Sequence, residues 1–101
     1  MNRIEAKVES CSLRDSIAWL RLDRGRLAVR PWPGMKAGQR VRVRIAPDDI
    51  VLCAMHPGPT SARNVLAGRV RSVRRTPAGS LVAVDVGFPL VALVTHRAVA
   101  D

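Results

Sequence analysis

Arg40-Val41-Arg42-Val43-Arg44-Ile45 is the most telling stretch of the chain. Arginine and a β-branched residue alternate strictly, and a period of two places all the apolar side chains on one face of an extended strand. β-branched residues are stiff at χ1 and suit a pleated surface. The run therefore reads as a half-buried strand with a comb of arginines on its solvent face. Upstream, Ile4, Ala6 and Val8 alternate with Glu5, Lys7 and Glu9 in the same way. Further strands are expected at Ser16–Leu22, Leu27–Arg30, Ile50–Ala54, Ala67–Val73, Ser80–Val86 and Leu90–Val94.

The punctuation between these runs agrees. Asp23-Arg24-Gly25 and Asp85-Val86-Gly87 read as tight turns in which glycine takes positive φ. Thr76-Pro77-Ala78-Gly79 is another turn, and Pro31-Trp32-Pro33-Gly34 and Pro57-Gly58-Pro59 are loops that cannot continue a ladder. Eight short runs separated by turns predict an all-β sandwich or barrel. Two short helical turns are expected, Ser61–Leu66 capped by Thr60 or Ser61, and Thr95–Ala100 capped by Thr95.

The pattern repeats. Val8-Glu9-Ser10 recurs 62 positions later as Val70-Arg71-Ser72, and Leu22-Asp23-Arg24-Gly25 recurs as Val84-Asp85-Val86-Gly87. Leu27 then aligns with Leu90 after a slip of one. The economical reading is one domain of two half-repeats, residues 4–54 and 67–101, joined by residues 55–66. The second copy is the shorter. After Val29 the first continues through Lys36-Ala37-Gly38 into Arg40–Ile45, whereas after Val94 only seven residues follow. At least one strand pair has no counterpart there, so either the chain is a fragment of something longer or a second subunit supplies the missing edge, and a homodimer is the expectation.

Composition narrows the function classes. The 101 residues carry 17 Lys plus Arg against 8 Asp plus Glu, a net charge of +9. The excess is +5 in residues 1–50 and +4 in residues 51–101, so it is no basic tail. Fifteen of the cations are arginine, whose forked guanidinium suits oxyanions, although GC-rich coding produces the same bias. Cys11 and Cys53 lie in apolar runs and form no CxxC pair, so both read as small buried hydrophobes. There is no apolar leader-like segment at the start, and no apolar run approaches the 18 or so residues of a spanning helix. A cytoplasmic chain without membrane insertion is expected.

Catalytic signatures are missing. The sequence has no GxSxG, HExxH or P-loop pattern, so no enzyme activity is expected of this chain. Cys53-x-x-His56 is a single ligand pair where metal sites need two, and Asp48-Asp49 beside Pro47 reads as turn-forming. The one segment that suits a ligand is Thr60-Ser61-Ala62-Arg63-Asn64. A helical turn opened by Ser61 would present unpaired N–H groups, a hydroxyl and a guanidinium, a donor set that fits a tetrahedral dianion. The same residues read as a self-satisfied capped turn with Arg63 in solvent.

The stretch Arg44–Leu52, followed by Pro57-Gly58-Pro59-Thr60-Ser61-Ala62-Arg63-Asn64-Val65-Leu66-Ala67-Gly68-Arg69-Val70, resembles the TOBE domain of molybdate-transporter ATPases and the small Mop proteins. Ser-x-Arg-Asn-x-Leu-x-Gly-x-Val is the motif that carries the likeness. The resemblance implies an OB-like barrel of two half-repeats. It implies binding of molybdate, tungstate or a related oxyanion at subunit contacts, through Ser61, Arg63, the Ala62 amide and Asn64, with Thr95 after the last strand and His96 and Arg97 nearby. The implied role is a C-terminal accessory domain that senses oxyanion or joins ATPase subunits beside a membrane permease, at the inner face of the cell membrane. The chain departs from the family at Ala46-Pro47, where a Lys-Ser or Lys-Ala is usual, so a cation and an N–H are absent there. The alternatives are a nucleic-acid-binding OB module, favoured by charge but poor in stacking aromatics, and a ligand-free dimerisation domain.

Overall fold

The computed structural model describes residues 1–100, and the fold is almost entirely β. Seven strands form: β1 (Asn2–Ser12), β2 (Ile17–Arg21), β3 (Arg26–Val29), β4 (Arg40–Ile45), β5 (Arg69–Thr76), β6 (Gly79–Asp85) and β7 (Pro89–Val94). A 3-10 turn covers Pro47–Asp49, and one short helix, α1, covers His96–Ala100. The sheets are ordered β3-β2-β1-β4 and β5-β6-β7. The chain divides into two compact units, one of Arg3–Val43 with Pro59–Val65, the other of Met1–Asn2, Arg44–Gly58 and the residues from Leu66 on. Each is described in its own right.

The first unit holds the meander β1-β2-β3. Its core is Ala6, Val8, Ala18, Leu20, Leu22, Leu27, Ala28 and Met35, all buried. The alternation that predicts β1 is the alternation that fills this core. Strand β4 lies along the outer edge of β1. Its entry is fixed where Val8 N donates to Gln39 O at 2.8 Å and Gly38 N donates to Val8 O at 2.7 Å. As the Arg40–Ile45 pattern requires, Arg40, Arg42 and Arg44 are exposed and Val41, Val43 and Ile45 half-buried.

The second unit holds the meander β5-β6-β7, and the two meanders share one irregularity. The β1–β2 register shifts between Val8 and Ser10, and the β5–β6 register between Val70 and Ser72. A β-bulge thus falls on Glu9 in one and on Arg71 in the other, at the same place in the repeat. The ion pairs at the bulges are reversed in sign. Glu9 binds Arg21 and Arg26, at 2.5 and 2.8 Å, while Arg71 binds Asp85 at 2.9 Å.

Strand register also revises the repeat. Val8 faces Leu20 and Val70 faces Val84, so Leu20 and Val84 are the counterparts. Leu22 then corresponds to Val86, not to Val84. The cause is the β5–β6 hairpin, which runs on to Thr76 opposite Gly79 and is two residues longer than the loop at Leu13–Ser16. The turn at Gly25 closes with Leu22 N donating to Gly25 O, and that at Gly87 with Val86 N donating to Phe88 O. Both glycines have φ near +100°, as the turn reading requires.

Two expectations fail locally. Ile50–Ala54 forms no strand, because the 3-10 turn opened by Pro47 leads into a stretch with no ladder partner among the described residues. Ser61–Leu66 forms no helical turn. Ala62 N instead donates to the Thr60 side chain at 3.2 Å, a local bond of the kind that competes with helix. Cys53 is exposed rather than buried, and both cysteines are free.

Candidate functional site

Two asparagines do the same work in the two units. Asn64 Oδ1 accepts from Ala28 N at 2.7 Å, and Asn64 Nδ2 donates to Ala28 O at 2.8 Å. A side-chain amide thereby stands in for one residue of a neighbouring strand along the edge of β3. Asn2 Oδ1 accepts from Val91 N at 2.7 Å, and Asn2 Nδ2 donates to Val91 O at 2.9 Å and to Ile45 O at 3.1 Å. This second clamp closes the edge of β7. Asn2 and Asn64 are separated by the repeat spacing, and Ala28 and Val91 by the same spacing plus the slip of one. Met1 accordingly occupies the repeat position of Arg63.

The clamp explains why an asparagine follows Ser61-Ala62-Arg63. The Asn64 amide holds Ala28 through both its oxygen and its nitrogen, so Asn64 positions the loop. Ala62 N is also engaged, donating to Thr60 Oγ1 at 3.2 Å. What remains uncommitted among the described residues is the Ser61 hydroxyl and the Arg63 guanidinium, both exposed. Of the donor set expected from the sequence, one hydroxyl and one cation are thus left in this unit.

Thr95 belongs to the other unit. It serves as the N-cap of α1, with Ala98 N donating to Thr95 Oγ1 at 3.1 Å, as expected from the sequence. His96 Nδ1 lies 2.8 Å from Ser80 Oγ, and Ser80 is buried. This contact fastens the start of α1 to β6, and it was not legible in the sequence because Ser80 sits in an unremarkable apolar run. Arg97 is exposed. At Ala46-Pro47 the departure from the family pattern has a structural use: Asp49 N donates to Ala46 O at 3.0 Å and closes the 3-10 turn.

Gly68, four residues beyond Asn64, is required by packing. A Cβ there would lie 2.6 Å from Val86 Cγ1, 2.8 Å from Val84 Cγ1 and 2.9 Å from the Asp85 carbonyl oxygen. Asn64 and Gly68 are therefore architectural positions of the motif. No group of three or more metal-ligating side chains exists among the described residues, and His56 Nδ1 accepts from Gly58 N at 3.0 Å. No helix among them is long and apolar enough to cross a membrane. One titration effect falls on Glu9. Hydrogen bonding to Arg21, together with Arg26, holds the Glu9 carboxyl below its ordinary value against a smaller opposing effect of burial. Compared with known proteins, the chain matches no family profile and no curated protein.

Proposed function

We propose that the chain is a TOBE/Mop-type accessory domain of a molybdate-type oxyanion importer ATPase, an OB-like barrel of two half-repeats that binds a tetrahedral dianion through Ser61 and Arg63. The observation that carries this reading is the Asn64 clamp. It pins the loop to the edge of β3 while the adjacent hydroxyl and guanidinium stay exposed and without a protein partner among the described residues. A guanidinium and a hydroxyl on a pinned loop suit a planar or tetrahedral oxyanion. Two side chains do not fill the coordination of four oxygens, so in this reading a second copy of the chain supplies further donors across a dimer contact. The ATPase chemistry would belong to a neighbouring domain, and the site would face the cytoplasm beside the permease.

The nucleic-acid reading is weakened by a specific contact. The Arg26 guanidinium lies 4.2 Å from the centroid of the Trp19 ring, which occupies one face of a potential base-stacking platform. Calorimetric titration with molybdate, tungstate and sulfate tests the proposal. Heat with molybdate or tungstate is expected, with affinity reduced about tenfold or more in Arg63→Ala, because a charge-assisted contact is lost. Absence of heat at millimolar ligand from a dimeric chain refutes it. Tight, steeply salt-dependent binding to single-stranded nucleic acid would replace it.

A further inference from the structure

The two meanders differ most at their first strands. Val8 of β1 is 2% exposed, whereas its repeat counterpart Val70 of β5 is 57% exposed. Every residue of β5 but the last is exposed, and Val73 is open as well. The difference has a visible cause. β4 lies along the outer edge of β1, while β5 has only β6 beside it. An uncovered edge strand presents a row of unpaired N–H and C=O groups. Beside this edge, within the same unit, is an apolar groove of about 620 Å³ whose walls include Val51, Leu52, Val70, Val73, Val82 and Val99.

We propose that the free edge of β5 is a docking site for an extended segment of another protein that alternates apolar and acidic residues. β4 on β1 shows the form of the occupant: a strand whose alternate apolar side chains turn inward. Charge sets its chemistry. β5 carries Arg69, Arg71, Arg74 and Arg75, and only Arg71 has an acidic partner among the described residues. The register puts Arg69 and Arg74 on one face of β5 and Val70 and Val73 on the other. Carboxylates at alternate positions of an added strand would meet Arg69 and Arg74, and its apolar residues would cover Val70 and Val73. A second copy is a poor occupant. Antiparallel pairing of β5 with itself sets arginine against arginine, and like charges directly opposite are destabilising. The strand of this chain that alternates apolar with acidic residues is β1, which already lies between β2 and β4. The proposal uses none of the residues Ser61–Arg63, so it stands whether or not that loop binds an oxyanion.

A soluble hexapeptide alternating glutamate and valine, titrated into the full chain, tests the proposal. The expected result is hydrogen-exchange protection of the backbone amides of residues 69–76, with affinity falling at high salt. The double variant R69E and R74E should bind about tenfold more weakly, since two favourable charge contacts become repulsive. N-methylation of the peptide at alternate amides should abolish binding in one register of methylation and spare it in the other, because only one edge of the peptide pairs. Three results overturn the proposal: no protection at millimolar peptide, equal binding of a lysine–valine peptide, or concentration-dependent protection of β5 without peptide. The last would assign the edge to a second copy.

Discussion

Replacing Asn64 by alanine removes two hydrogen bonds at a stroke and leaves the N–H and C=O of Ala28 unpaired. Ala28 is buried, so neither group gains a good water partner unless the loop opens. An orphaned buried polar group costs about 1–3 kcal/mol, and with partial rehydration the pair should cost about 2–4 kcal/mol. Against the 5–15 kcal/mol or so that stabilises a domain of this size, that is a large fraction. At about 4–8 °C per kcal/mol, Tm should fall by roughly 8–32 °C. Asn64→Asp separates the two bonds, since a carboxylate still accepts from Ala28 N but faces Ala28 O without a donor; it should lie at or beyond the alanine variant. Urea denaturation with a fixed m value gives the free energy, and amide exchange at Ala28 locates it. A loss below about 0.5 kcal/mol, or unchanged exchange at Ala28, would refute the clamp as a source of stability. The repeat offers an internal control: Asn2→Ala removes three hydrogen bonds at a buried side chain and should cost at least as much, with the exchange effect at Val91.

Gly68→Ala should destabilise by about 1–3 kcal/mol through overpacking, because the Asp85 carbonyl cannot rotate away as the Val84 and Val86 methyls can; a shift in the urea midpoint reads it. Glu9 supplies a pH dependence of known sign. Its carboxyl is held below the ordinary 4.5, so its contribution is complete above that value and is lost as pH falls through the lower folded-state value. The stability gap between the wild-type chain and Glu9→Gln, followed by denaturation from neutral to acid pH, should therefore close on acidification; a gap that stays constant would show that the arginine pairing contributes nothing.

Local periodicity made the strands readable. Arg40–Ile45 and the first residues of β1 alternate because one face is buried, and that signal lies wholly within the segment. The turns at Gly25 and Gly87 were equally legible, since positive φ leaves its mark in residue type. Ile50–Ala54 misled because apolar, β-branched residues report burial and extension but not the presence of a partner strand. Ser61–Leu66 misled for a different reason. Thr60 and Asn64 are good helix-capping types, and the same short side chains bind non-helical backbone just as well. The clamp by Asn64 could not be read from its neighbours because its partner, Ala28, is 36 residues away. Asn2 went unnoticed, although its distance from Asn64 equals the repeat spacing and an alignment carried back to the first residues would have paired them. The exposure of Val70 was hidden altogether, because its apolar, alternating context matches that of Val8.

The two asparagine clamps also impose an order on folding. Asn64 reaches back 36 residues to Ala28, so its loop can close once the first meander and the following linker exist. Asn2 must wait for Val91, 89 residues away. The longer loop costs only about 0.8 kcal/mol more to close, but it cannot begin to form until nearly the whole chain has been synthesised. During translation the edge of β3 can be sealed early and that of β7 last, with Ile45 the earlier partner open to the Asn2 side chain. A nascent chain stalled between these two closures would carry one finished meander and a second with its edge still open to strays.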